Sequence, residues 1–113
     1  MFGWEFPPHI LGGLGTASYG LTRGMAQQED MQILFVIPKP WGDEDQSFLR
    51  IIGANSVSVP GRGCIEFSGR YPDNLVEEIG NYEQVGRELA YREQFDIIHS
   101  HDWLTYSAGI ATK

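Results

Sequence analysis

The run Ile33-Leu34-Phe35-Val36-Ile37 leaves the chain little choice of architecture. A strand with one wet face alternates apolar and polar residues, because successive side chains point to opposite sides of the sheet. No polar residue interrupts this run, so both faces must be covered, as in a parallel sheet sandwiched between helices. The residues upstream agree. Met1 to Phe6 is largely apolar and stops at Pro7-Pro8, which cannot continue a ladder, so it reads as the tail of a strand. His9 to Gly15 is a glycine-rich loop. Beyond it, Leu14, Ala17, Leu21 and Met25 recur on one helical face, with Thr16 and Ser18 as candidate caps. Gly20 and Gly24 each weaken that helix by about 1 kcal/mol relative to alanine, unless they allow close packing on the sheet.

Pro38 to Gln46 is a polar, proline-containing loop. Ser56 to Val59 has the pattern of a short strand stopped by Pro60-Gly61, and Cys64 to Phe67 of another extended piece. A hairpin and a parallel crossover are both open for residues 48–67. Asp73 is placed to cap a helix through Ile79 closed by Gly80. Asn81 and Gln84 resemble a capping box for a further helix, with Tyr82, Val85 and Leu89 on its apolar face, ending near Phe95. Asp96 to His101 reads as a second buried strand, and Thr105 to Lys113 as a final helix. This is the order of βαβ units. The expected fold is therefore α/β: one Rossmann-like domain over residues 1–113, a parallel sheet with helices on both faces. Ligands bind such sheets outside the carboxyl ends of the strands. Two loops fall there, Pro7 to Gly15 and His99 to Trp103.

Composition narrows the function. Among 113 residues, 8 Lys+Arg stand against 15 Asp+Glu, a formal net charge of −7. Binding to nucleic acid depends on cations that replace counterions along phosphates, so no nucleic-acid partner is expected. No apolar run approaches the roughly 20 residues of a spanning helix, and no secretory signal is expected. Cys64 stands alone, which excludes an internal disulfide and points to a reducing, cytoplasmic setting.

Gly12-Gly13-Leu14-Gly15 lies where a helix start offers unpaired N–H groups and a positive dipole end, suited to a phosphate or a sugar hydroxyl. The spacing is neither the dinucleotide fingerprint nor a Walker motif. A tight turn whose glycines serve geometry alone is the competing explanation. His99-Ser100-His101-Asp102-Trp103 is more informative, because residues two apart on a strand share a face. His99, deeper in the strand, is expected to be a hydrogen-bonded core residue. His101, at the tip beside Asp102, is placed to meet substrate, where an imidazole donates a hydrogen bond or stabilises developing charge. His9 is the only other histidine, and Cys64 belongs to no zinc spacing, so neither metal nor cofactor is expected. Glu5 faces either the cleft or the wet rim. Asp43-Glu44-Asp45 reads as a solvated loop and Glu77-Glu78 as a wet helix face. Trp4, Trp41 and Trp103 suit either a core or a sugar-stacking surface. No serine sits in a nucleophile elbow.

Taken in order, Trp4-Glu5-Phe6-Pro7-Pro8, Gly12-Gly13-Leu14-Gly15 and His99-x-His101-Asp102-Trp103 resemble the amino-terminal domain of GT-B glycosyltransferases, of the retaining glycogen/starch synthase group and the neighbouring family 4. Phe95-Asp96-Ile97-Ile98 and Tyr106-x-x-Gly109 add to the likeness, which covers residues 1–37 and 95–113. The resemblance implies transfer of a glycosyl unit, glucose being the sugar expected, from a UDP- or ADP-glucose type donor to a carbohydrate acceptor with retention. It implies catalytic roles for His101 and Asp102, and substrate contacts from Gly12, Gly13, Leu14, Gly15, His99 and Glu5. Ile10 stands where glycogen synthases usually carry a lysine, which favours family 4. The resemblance also implies a clipped first strand and a carboxyl-terminal nucleotide-binding domain beyond this chain. The chain alone is then inactive and prone to self-association. The alternative is a non-catalytic carbohydrate- or nucleotide-binding module or a pseudoenzyme.

Overall fold

The structure, a computed structural model, describes residues 1–10 and 12–113. Leu11, in the glycine-rich loop, lies outside them. Three helices, α1 (Gly13–Met25), α2 (Leu75–Arg92) and α3 (Trp103–Thr112), surround a small parallel sheet. Its regular part is β1 (Leu34–Ile37) paired in parallel with β2 (Arg50–Gly53), from Leu34 opposite Arg50 to Ile37 opposite Gly53. The amino-terminal segment joins on the other side of β1 through a parallel bridge between Phe2 and Val36, and Phe2 bridges onward to Ser100. Backbone bonds hold both junctions: Gly3 N–H to the Val36 carbonyl at 2.9 Å, and His101 N–H to the Phe2 carbonyl at 3.0 Å. The order across the sheet is thus β2, β1, amino-terminal segment, Ser100 segment. The chain reverses direction of travel between the last two, a topological switch point.

Helices cover both faces, as the unbroken apolar run requires. Phe35 and Ile37 join Phe6, Ile33 and Leu49 in one cluster, against which Tyr19 and Met25 of α1 pack. On the opposite face Phe2, Trp4 and Val36 meet Tyr82, Val85 and Leu89 of α2 and Leu104 and Ala108 of α3. Tyr82 ties this layer to the sheet. Fully buried, it packs edge-on to Phe2 and Trp4, and its hydroxyl donates to the carbonyls of Gly3 (2.8 Å) and Val36 (2.7 Å). Gly86 lets α2 and α3 cross closely: a Cβ there would lie 2.7 Å from the Ala108 carbonyl oxygen, and Thr112 donates to the Gly86 carbonyl at 2.9 Å.

Several local expectations are corrected. The buried side of α1 is Gly15, Ser18 and Thr22, with Leu21 40% exposed, so small residues seat the helix close to its neighbours. Thr22 satisfies its buried hydroxyl on the Ser18 carbonyl at 2.7 Å. Gly12, not Thr16 or Ser18, is the residue that caps α1. α2 runs unbroken through Gly80 and Asn81, because the buried row Glu78, Tyr82, Val85, Gly86 and Leu89 anchors both halves. Residues 48–67 hold both open alternatives: β2 lies parallel to β1, and β3 (Ser58–Val59) with β4 (Gly63–Cys64) forms an antiparallel hairpin. The expected buried strand at 96–101 pairs only around Ser100, and Ile97 is 80% exposed because the segment lies at the sheet edge.

Candidate functional site

The glycine turn is built from underneath by a carboxylate. Glu5 is 5% exposed, neither on the rim nor open to the cleft, and its Oε1 accepts the Gly15 N–H at 3.1 Å. It satisfies one of the orphan donors of a helix whose Gly12 cap has no side chain to offer. The glycines then divide by role. A Cβ on Gly15 would collide with the Ile10 side chain and approach Glu5 Cγ at 3.1 Å, so Gly15 serves packing. Added to Gly12 or Gly13, it would meet nothing within 4 Å among the described residues. Leu14 is half-buried against the Phe2–Trp4 cluster.

The histidine loop shows the expected shared face with the depths reversed. The rings of His99 and His101 lie 4.5 Å apart, but His99 is exposed and His101 half-buried. Phe35 covers His101, with ring centroids 5.8 Å apart. Burial pushes the His101 imidazole below its ordinary value, the charges of His99 and the Met1 amine push the same way, and Asp102 opposes them. Its Nε2 is buried and has no hydrogen-bond partner among the described residues. Asp102 does not continue the strand. At φ 62° it occupies backbone that side chains rarely adopt, and its Oδ1 caps α3 by accepting the Leu104 N–H at 2.7 Å. Thr105 secures the same bend by donating to the His101 carbonyl at 2.9 Å.

The amino-terminal segment brings the two loops together. It runs parallel to the Ser100 segment, so the glycine turn that follows the one and the His101–Trp103 bend that follows the other leave the sheet on one rim. Tyr71 lies near both: burial pushes its hydroxyl up to about 12, reinforced by the negative charges of Glu5 and Asp102 and by a hydrogen bond to Glu5. Tyr71 sits in an irregular loop with no motif or period around it, so nothing in the sequence singled it out.

A third loop borders this rim. His9 Nε2 lies 2.9 Å from both carboxylate oxygens of Asp43. Glu44 is not solvated as expected. It is 8% exposed and accepts the backbone N–H groups of Trp41 (2.8 Å) and Gly42 (3.0 Å). Glu78 is likewise buried, accepting the Ser68 N–H at 3.1 Å, while Glu77 is exposed. Of the tryptophans, Trp4 is core, whereas Trp41 and Trp103 are 45% and 60% exposed. Among the described residues, no three His, Cys, Asp or Glu side chains are grouped to hold a metal ion, and no helix is long and apolar enough to cross a membrane.

Comparison with known proteins finds distant relatives that are named as glycosyltransferases. The chain is 27% identical over its whole length to an uncharacterized glycosyltransferase of Methanocaldococcus jannaschii, of which it covers 27%. It is 25% identical over 98% of its length to glycogen synthase of two Mycobacterium tuberculosis strains, covering 29% of that protein. The chain therefore spans little more than a quarter of these relatives. No protein-family model and no solved structure matches it. The chain is thus distantly similar to part of these glycosyltransferases.

Proposed function

We propose that this chain is the amino-terminal, acceptor-side part of a GT-B glycosyltransferase that moves a glucosyl unit from a nucleotide-sugar to a carbohydrate acceptor with retention. The observation that carries the reading is the parallel pairing of Phe2 with Ser100, which sends the glycine turn and the His101 bend out of the same edge of the sheet. On this reading the residues take the following roles. Gly12 and Gly13 leave open space at the positive end of α1, where the donor's diphosphate or sugar fits against backbone N–H groups. Glu5 and Gly15 hold that turn in place. His101, whose neutral form burial favours, orients the transferred sugar at the anomeric centre from its half-buried place at the bend. Asp102 acts by fixing the bend and the start of α3. Leu14 lines the turn and the exposed His99 lies at its mouth. Ile10 in place of a lysine favours a family 4 enzyme over an ADP-glucose-specific synthase.

On this reading a second Rossmann-like domain supplies the nucleotide pocket, the protein works in the cytoplasm without a cofactor, and the 113-residue chain alone turns over no donor. The test is to express the parent polypeptide encoded around this segment and assay UDP- and ADP-glucose. Transfer with retained anomeric configuration, reduced about 100-fold in kcat/KM by His101→Ala, supports it. A reading frame that stops after Lys113, or turnover by the purified chain alone, overturns it.

A further inference from the structure

We propose that Trp41, His9 and Asp43 form a binding platform for one pyranose ring of a neutral oligosaccharide. Its role as an acceptor subsite rests on the transferase reading, whereas its affinity for sugar rests on the geometry alone.

The loop after β1 presents a large aromatic side chain to solvent on a rigid support. Pro40 seats against Gly53, where a Cβ would collide with its ring, and the Pro38 carbonyl accepts the Asn55 N–H at 3.0 Å. At the tip the buried Glu44 carboxylate grips two consecutive backbone N–H groups, those of Trp41 and Gly42. Gly42, at φ 99°, makes the turn that this grip requires. A backbone held this way loses little freedom when a ligand arrives, which favours affinity.

The surroundings suit a sugar. The His9 ring lies 4.8 Å from the indole at 32° and is hydrogen-bonded to Asp43, whose side chain remains 58% exposed. A pyranose has an apolar C–H face that packs on an indole and an equatorial edge of hydroxyls that donate to a carboxylate and bond to imidazole. Lys39 Nζ lies over the indole ring, 5.3 Å from its centroid, where a sugar packing on that face displaces it; it is the loop's one cation against Asp43, Glu44 and Asp45. That acidic excess repels phosphate, so the platform takes an uncharged sugar in preference to a nucleotide. His9 also belongs to the loop that leads into Gly12, so a sugar on Trp41 borders the proposed donor position.

The experiment is a ¹H–¹⁵N titration of the 113-residue chain with maltotriose, followed at the three indole N–H signals. Trp4, whose indole donates to the Arg70 carbonyl at 3.0 Å in the core, serves as the internal control for folding. A saturable shift at Trp41 and none at Trp4 is expected. Trp41→Ala should weaken binding at least about tenfold, Trp41→Phe should keep it within about threefold, and Asp43→Asn should weaken it several-fold. No saturable shift at Trp41 with maltotriose or cellotriose, binding unchanged in Trp41→Ala, or UDP taken there in place of sugar overturns the platform. Sugar bound at Trp41 in a parent polypeptide that transfers none keeps the platform and removes the transferase reading. Transfer whose acceptor KM ignores Trp41→Ala, with no shift at Trp41, removes the platform alone.

Discussion

His101 carries the clearest electrostatic signature. Its folded value lies below the ordinary imidazole value, so the native state favours the neutral ring and the unfolded state binds more protons between the two values. Its contribution is complete above the unfolded value near 6.5 and is lost as pH falls through 6.5 toward the folded value. The Met1 amine, lowered by burial to about 6, acts in the same direction between about 8 and 6. Denaturant unfolding across pH 5 to 8 should show stability falling with acidity, and His101→Gln should flatten the part below about 6.5. Tyr82→Phe should cost about 1–3 kcal/mol, because two buried carbonyls lose a shared donor. At this scale the sequence was only partly legible. Period two put both imidazoles on one face, but only the fold brings Phe35 over His101 and leaves His99 bare. Glu44 and Glu78 looked wet because the N–H groups that they bind belong to loops with no visible pattern.

Elements were read best where burial is symmetrical. The uninterrupted run around β1 announced a strand covered on both sides, and the glycines marked the start of α1. Gly80 misled because a mid-helix glycine costs only about 1 kcal/mol, less than the burial of Tyr82, Val85 and Leu89 returns. The edge strand misled because apolar composition does not reveal which side has a neighbour. The turn itself makes a sharp prediction. Gly15→Ala should destabilise the chain by about 1–3 kcal/mol through collision with Ile10, while Gly12→Ala should leave stability nearly unchanged. Thermal melts of the two variants decide it. If both are equally damaging, the room above Gly12 is not real.

For the whole molecule, one flank matters most. Ile97, Trp103, Tyr106 and Ile110 are 80%, 60%, 54% and 74% exposed, the last three at helical spacing along α3. An apolar strip of this kind attracts a partner, and on our proposal isolated chains use one another. Sedimentation over a hundredfold concentration range should show reversible association that Ile110→Lys with Tyr106→Lys weakens. A single species unaffected by concentration contradicts it. Tyr71 is the measure of what sequence conceals at this scale, since its hydrogen bond to Glu5 exists only after the chain has closed.

The single bridge that fastens Ser100 to the sheet has a kinetic corollary. A segment with so little ladder of its own is kept in register by what leans on it: Gly109 fits α3 against Ser100, and Gly86 fits α2 against α3. The histidine bend therefore exists only while that helix pair stays docked. Its amide protons should exchange with deuterium in step with undocking, sooner than those of β1, so this corner opens before the centre of the sheet under thermal agitation.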